Sequence, residues 1–263
     1  MPRIAAVVSN GCSPDPRVLR EARWLVEAGH EVTIHAFDRL EALPPSEEID
    51  GIQIIRHRVG KTPYGGTLST ITGLQRFRKS VSKSVREIDL LHCHDADTLP
   101  LVNLIKAKIL FDMHDLHHTW ARMSNPHSPL RKMASKQMER AMLRRAKKAH
   151  AVITSSEGFV DWLSSKNISA TAIENRPLRQ TILPTPPTPT IGYFGKIREE
   201  SSFKLLIDAM RQIPSQTRPR LLIAGDGTHA DEIKNLAASS ADLTIEIRGP
   251  FDHSEISSMM SEI

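Results

Sequence analysis

The stretch Ile4-Ala5-Ala6-Val7-Val8-Ser9, followed by Asn10-Gly11-Cys12-Ser13-Pro14-Asp15 and then Pro16-Arg17-Val18-Leu19-Arg20-Glu21-Ala22-Arg23-Trp24-Leu25-Val26-Glu27-Ala28-Gly29, decides the fold. Its first six residues are a short apolar run that reads as a buried strand, and the polar segment with glycine and proline reads as a loop. Asp15 stands where an N-cap belongs, Pro16 at the first helical position and Gly29 just past the end, so residues 16–28 are expected to be helical. Val18, Leu19, Ala22, Leu25 and Val26 share one face of that helix, which must pack on something apolar. A strand, a loop and a helix that folds back on the strand open a parallel α/β sheet.

Outward from this unit the same alternation recurs. Strands are expected at Val32–Phe37, Ile52–His57, Leu90–His94, Ile109–Asp112 and Val152–Thr154, with helices in most intervals, which makes residues 1–180 a doubly wound domain. Pro184, Pro186, Pro187 and Pro189 then remove amide donors from a short segment, so residues 181–189 read as a linker. The pattern restarts after it: strand Thr190–Phe194, helix Phe203–Arg211, strand Leu221–Ala224, helix His229–Ala238, strand Leu243–Ile247 and a helix from Ser254 onward. Ile256, Met259, Met260 and Ile263 repeat at helical spacing with no stop signal, so residues 190–263 are expected to form an incomplete second domain. The expected fold class is α/β, with two Rossmann-like doubly wound domains of which the second lacks its fourth strand.

Composition narrows the field. With 263 residues and 40% hydrophobic content the chain can build real cores. Its two cysteines, Cys12 and Cys93, are far apart, which excludes a disulfide framework and a zinc knuckle and suits a reducing, cytoplasmic setting. The N-terminus does not resemble a signal peptide, and no apolar run approaches the roughly 20 residues of a membrane span. The net charge is +5, and the excess is concentrated. Arg131, Lys132, Lys136, Arg140, Arg144, Arg145, Lys147 and Lys148 face the single acid Glu139, with Met133, Met138, Ala141 and Met142 as a partial apolar stripe. A basic amphipathic helix of this kind fits an anionic lipid surface as well as a solvated face. Nucleic acid is not an expected partner, because no aromatic residue interleaves the charges.

Open α/β sheets gather their ligands at the carboxyl ends of the strands. The Asn10–Arg17 loop runs into a helix N-terminus, where free amides suit an anion; Gly11 and Arg17 are its candidate phosphate-binding residues, and an ordinary capped helix is the plainer reading. His94 ends a strand, and His92 points to the same face, so one of the two is expected to be structural. His92, His94, Asp97, His114, Asp115, His117 and His118 could all ligate a metal. His-x-His-x-x-Asp is not a complete binuclear pattern, however, and no metal is expected. Lys196 follows the first strand of the second domain, where a fixed cation can neutralise a leaving diphosphate.

Five segments, taken in order, resemble family 4 glycosyltransferases (glycosyl transferase group 1). They are Ser13-Pro14-Asp15-Pro16-Arg17-Val18-Leu19-Arg20-Glu21-Ala22 with Glu27-Ala28-Gly29-His30-Glu31-Val32; His92-Cys93-His94-Asp95-Ala96-Asp97; Asp112-Met113-His114-Asp115; Ile191-Gly192-Tyr193-Phe194-Gly195-Lys196; and Leu222-Ile223-Ala224-Gly225-Asp226-Gly227. The resemblance implies a GT-B fold and retaining, metal-independent sugar transfer from a nucleotide diphosphate sugar to a hydroxyl acceptor, with no cofactor. It implies His94 and Lys196 as catalytic residues facing each other across a cleft, and Asp95, His114 and Asp115 on the acceptor side. Gly195, Lys196, Arg198, Gly225, Asp226 and Gly227 would meet the donor. A lipid-linked or envelope glycan precursor is the expected acceptor, and the inner face of the membrane the expected place of work. The chain departs from the family at Ser201, where a second basic residue is usual unless Arg198 replaces it, and the family's paired glutamates would lie beyond Ile263. Two rival readings stay open: a non-catalytic nucleotide-sugar-binding fragment, and a metal-dependent hydrolase built on the His/Asp cluster.

Overall fold

The computed structural model describes residues 1–63, 67–123, 125–176, 188–252 and 255–263, and the chain divides into two compact units at residue 176. The expected linker, residues 181–189, falls outside the described residues except for its last two.

In the first unit the elements run β1 (Arg3–Val8), α1 (Pro16–Glu27), β2 (Glu31–Phe37), β3 (Ser46–Ile49), β4 (Ile52–His57), α2 (Thr67–Ser84), β5 (Leu90–His94) and α3 (Asp95–Thr98). A 3-10 turn at Leu99–Asn103 leads to β6 (Lys108–Met113), α4 (His117–Met123), α5 (Pro129–Ala146), β7 (Ala151–Thr154), α6 (Glu157–Ser164) and β8 (Thr171–Ala172). The strands form one sheet in the order β3-β4-β2-β1-β5-β6-β7-β8. Among the described strands of this sheet only the β3–β4 pair is antiparallel. Strand order reverses at β1, which pairs with β2 on one side and with β5 on the other. The crevice of a doubly wound sheet opens at that reversal, and here it lies between the loops that leave β1 and β5.

The uniformly apolar β1 explains itself, since a parallel central strand is covered on both faces. Ile4, Ala6 and Val8 pack with Val18, Leu19 and Ala22 of α1. Ala5 and Val7 turn the other way into the core that holds Phe37, Phe77, Leu91, Cys93 and Phe111. Asp15 caps α1 as its sequence position dictates, accepting from the Val18 amide at 3.2 Å. The antiparallel edge β3 was not foreseen, because Ser46-Glu47-Glu48-Ile49 carries almost no apolar signal; its ladder to β4 is joined by an ion pair between Glu47 and Arg56 and by Ile49 packed beside Ile52 and Ile54. Two-residue β8 is too short to leave any pattern. The partial apolar stripe read on the basic helix is divided between two sides. Ser135, Met142 and Ala146 are the buried residues of α5, whereas Met133 is 64% and Met138 46% exposed.

The second unit contains β9 (Thr190–Phe194), α7 (Ser201–Arg211), β10 (Arg220–Ala224), α8 (Ala230–Ala238), β11 (Ile245–Gly249) and α9 (Ile256–Met260). Its described strands form a parallel sheet in the order β11-β10-β9. Phe203, Ile207 and Met210 of α7 and Ile233 of α8 bury themselves against Leu221 and Ile223 of β10. The last strand lies two residues later than expected, because Leu243 belongs to the turn closed by its amide to Ser240. The start of the last expected helix, Ser254, lies outside the described residues, and of its four apolar residues only Met259 is buried. No described helix is long and apolar enough to cross a membrane.

Phe77 is fully buried and stacks on Phe37 with ring centroids 4.8 Å apart. Phe77→Ala is expected to lower the stability of the first unit by about 3–5 kcal/mol through lost burial and the cavity left behind. Leu68→Ala, at a site 76% exposed on the same helix, is expected to stay within about 0.5 kcal/mol. Urea unfolding followed by circular dichroism measures both.

Candidate active site

Three strand ends bring the chemistry together. α1 begins after the β1 loop and presents Arg17 and Glu21, one turn apart, on its sheet-facing side. β5 delivers His92 and His94, their rings tilted by 31° with centroids 4.1 Å apart, and β6 delivers Asp112 with His114 just beyond it.

Asp112, fully buried, is the hub. Arg17 grips it with both ends of its fork, Nη2 to Oδ1 at 2.7 Å and Nε to Oδ2 at 3.1 Å. The third contact is His114 Nε2, 2.5 Å from Oδ2, and the fourth His94 Nδ1 at 3.3 Å. Arg17 Nε also lies 2.8 Å from His114 Nε2. When that nitrogen carries a proton it donates to Asp112 and the arginine proton goes to the carboxylate. Burial alone would raise the Asp112 carboxyl, but the hydrogen bonds and charges of His114 and His94 outweigh it and hold the group far below the ordinary carboxylate range. The His114 imidazole moves the other way. Its burial disfavours charge, yet the bond to Asp112 and the charge of Asp95 raise its pKa above the usual value.

Behind this pair stands a drier layer. Burial and the Asp112 charge push the Glu21 carboxyl up to about 8, so Glu21 is largely neutral at pH 7. Burial and the neighbouring His94 hold His92 well below its ordinary value. Both Glu21 oxygens, His92 Nε2 and His94 Nε2 are buried without a hydrogen-bond partner. Glu21, His92, His94 and Asp112 place one donor atom each within 4.8 Å of one another, a set a divalent ion could use. Arg17 already stands there, however, 3.0 Å from Glu21 Oε1 and bidentate on Asp112, and a second cation would have to displace or repel it. The other potential ligands named from the sequence do not join this set among the described residues. His117 turns to Asp95 and Asp97, at 3.6 and 3.7 Å, and His118 stacks on Trp162.

In front of His114 opens a cavity of about 630 Å³ lined by Asp15, Pro16, Arg17, His114, Asp115, Ser155, Glu174, Asn175 and Arg176. Of the sequence candidates, His114, Asp115 and Arg17 reach it. His94 does not, since it is 1% exposed and lies behind Asp112. Gly11 is not among the lining residues; its carbonyl accepts from Arg56 Nε at 2.7 Å, and a Cβ there would stand 2.5 Å from the Leu43 Cδ1 methyl. Arg17, expected to hold phosphate, has Nε and Nη2 on Asp112 and Nη1 on the Ile173 carbonyl at 2.9 Å. Asp95 steers His114, accepting from its amide at 3.2 Å and facing its Nδ1 at 3.6 Å, from a left-handed backbone position at φ 65°. Glu21 was missed although its i,i+4 spacing from Arg17 signals a pair. Ser155, Glu174 and Asn175 left no local signal, because strand order alone brings them here.

In the second unit the loops after β9 and β10 are zipped backbone to backbone. Gly195 N donates to Ala224 O and Ile197 N to Asp226 O, both at 3.0 Å. A Cβ on Gly225 would lie 1.8 Å from the Gly195 oxygen, and one on Gly227 2.0 Å from that of Ile197. Glycine is thus obligatory at both positions. Lys196, Arg198 and Asp226 project from these loops exposed, the two cations without an acidic partner among the described residues.

A family model described as the glycosyl transferase 4-like domain matches residues 14–178. The chain belongs to this family. Among solved structures, this glycosyl transferase 4-like protein is similar to sucrose-phosphate synthase from Thermosynechococcus elongatus, with TM-score 0.74 and 18% identity over 100% of this chain and 74% of that one. TarM from S. aureus aligns with TM-score 0.65 and 11% identity over 100% and 80% of the two chains. The α,α-trehalose-phosphate synthase from Burkholderia vietnamiensis aligns with TM-score 0.60 and 10% identity over 98% and 76%. At such identities the likeness shows the fold, which is GT-B. No curated protein matches in sequence.

Two measurements check the buried network. Arg17→Ala strands the Asp112 charge and is expected to cost about 3–5 kcal/mol, part of it recovered when Asp112→Asn is added. Glu21 keeps its proton in the folded chain up to about pH 8 but loses it near 4.5 when unfolded, so its contribution is complete below pH 4.5 and is lost as pH rises to 8. Glu21→Gln is therefore expected to gain urea resistance over the parent progressively between those pH values. A difference constant across that window would contradict the assignment.

Proposed function

We propose that this glycosyl transferase 4-like protein transfers a hexose from a nucleotide diphosphate sugar to a hydroxyl acceptor, with retention of configuration and without a metal. The observation that carries the reading is His114, held by Asp112 and Asp95 with its ring at the wall of a cavity beside the reversal point of the first sheet. A cavity of about 630 Å³ lies within the roughly 300–1,000 Å³ range of small-molecule sites. Its lining of carboxylates, amide and imidazole is suited to sugar hydroxyls. In this reading His114 hydrogen-bonds the transferred sugar, and Asp115 and Glu174 orient hydroxyls beside it. His94 is a positioning residue that holds Asp112 from behind, a different part from the direct contact its sequence position implied.

The second unit supplies the donor side. Lys196 and Arg198 offer unneutralised charge beside loops so closely packed that a diphosphate can approach backbone as well as side chain. As the bond from the anomeric carbon to the phosphate oxygen breaks, Lys196 offsets the charge left on the departing diphosphate. That diphosphate takes the acceptor's proton while the acceptor oxygen bonds to the same face of the sugar, so no carboxylate base is required. Related folds bear on the donor: a starch synthase IV structure from Arabidopsis thaliana is bound to ADP, and the TarM structure is in complex with UDP. The metal-dependent hydrolase reading is disfavoured by Arg17, which occupies the electrostatic role a cation would fill.

Nucleotide release from UDP- and ADP-sugars in the presence of glycan acceptors tests the reading. Lys196→Ala is expected to lower kcat by on the order of 10²–10³, and His114→Ala by roughly 10², with His94→Ala costing less. Dialysis against EDTA is expected to leave the rate unchanged. Tight nucleotide binding with no turnover would favour a binding protein, and EDTA-sensitive hydrolysis would favour the metal-dependent rival.

A further inference from the structure

Beyond the transfer site, α5 carries a surface that the chemistry above does not use. Counting 100° per residue, Leu130, Met133, Lys136, Gln137, Arg140, Arg144 and Lys147 fall within a single face of about 120°, opposite the buried Ser135, Met142 and Ala146. The face is open. Leu130 is 73% and Met133 64% exposed, and a shallow trough of about 580 Å³ runs along Met133, Lys136, Gln137, Arg140, Leu143, Arg144 and Lys147.

The charges along it are not neutralised within the chain. Glu139, the one acid of the helix, is half-buried on another side and pairs with Lys166 at 3.7 Å. Arg131 and Arg145 bond to the backbone carbonyls of Ala121 and Ala141, and Lys148 to Asn103, whereas Lys136, Arg140, Arg144 and Lys147 have no acidic partner among the described residues. From Lys136 to Lys147 these four cations span about 17 Å of helix at 1.5 Å per residue. Two large apolar side chains extend the same line at its N-terminal end.

From this we infer that α5 docks the protein on an anionic lipid bilayer, with Lys136, Arg140, Arg144 and Lys147 against the headgroups and Leu130 and Met133 inserted at the acyl boundary. Charge complementarity selects an anionic occupant, and the exposed leucine and methionine select a bilayer over a dissolved polyanion, which would leave them in water. A nucleic acid fits worse, since the face offers no aromatic ring on which a base could stack. The inference is independent of the sugar-transfer reading: it concerns where the protein sits, and it holds or fails without turnover.

Co-sedimentation with phosphatidylcholine vesicles, with and without phosphatidylglycerol, tests it. Binding is expected only to the anionic vesicles and is expected to weaken with salt. Each basic residue near an anionic surface contributes roughly a fivefold gain in partition, so Arg140→Gln with Arg144→Gln is expected to lower the partition coefficient on the order of 30-fold. Leu130→Ser with Met133→Ser is expected to weaken binding while retaining its salt dependence. All four positions are exposed, and an unchanged thermal midpoint confirms that each variant is folded. Equal sedimentation with neutral and anionic vesicles, full binding by the arginine double variant, or binding to single-stranded DNA but not to anionic vesicles would overturn the proposal.

Discussion

The buried ion pair between Arg17 and Asp112 is the constraint on which the first unit's site depends. It joins a helix that begins after β1 to a strand two positions away in the sheet, so it closes only when β1, β5 and β6 stand in register. A buried pair of this kind adds little to net stability, because desolvating two ions costs nearly as much as their attraction returns. Its effect is on geometry: Arg17, His94 and His114 all take their orientation from the carboxylate at the centre of the cluster. Asp112 charged makes His114 favour its proton; Asp112 charged also keeps Glu21 neutral. The result is an acidic hub with a histidine of raised proton affinity in front and the neutral forms of Glu21 and His92 favoured behind.

That division explains why the two histidines of β5 and the histidine after β6 differ in the fold. Side-chain alternation puts His92 and His94 on one face, where they lie side by side, buried under α1. His114 lies one residue past its strand, where the backbone leaves the sheet, and its ring reaches the cavity. Burial that would suit a supporting role for His94 would hinder direct contact with a ligand.

The sheet and its parallel order were legible because period, caps and breakers agree over β1, α1, β2 and β4 to β7. The helix cap at Asp15 and the restart at Thr190 were equally plain. What stayed hidden was whatever depends on partners distant in sequence. Glu174 and Asn175 enter the cavity only through the pairing of β7 with β8. β3 exists because β4 offers an edge, and Ser46-Glu47-Glu48-Ile49 says nothing of it alone. The buried side of α5 was hidden for a related reason: the small residues Ser135 and Ala146, which carry little apolar signal, let the helix lie close with Met142 and leave Met133 outside.

The central position of β1 has a bearing on how the sheet is assembled during synthesis. β1 gains its neighbour β2 after about 35 residues have emerged, but β5 is complete only near residue 94. At about 5–20 residues per second the nascent chain holds the β3-β4-β2-β1 half for several seconds with the outer flank of β1 unpaired. An open flank of this kind invites pairing with other chains. The long α2, which must be made before β5, contributes Leu74, Phe77 and Val81 to the layer that later covers Ala5 and Val7. A helix made in that interval can shelter the apolar face of the half-sheet until its second half arrives.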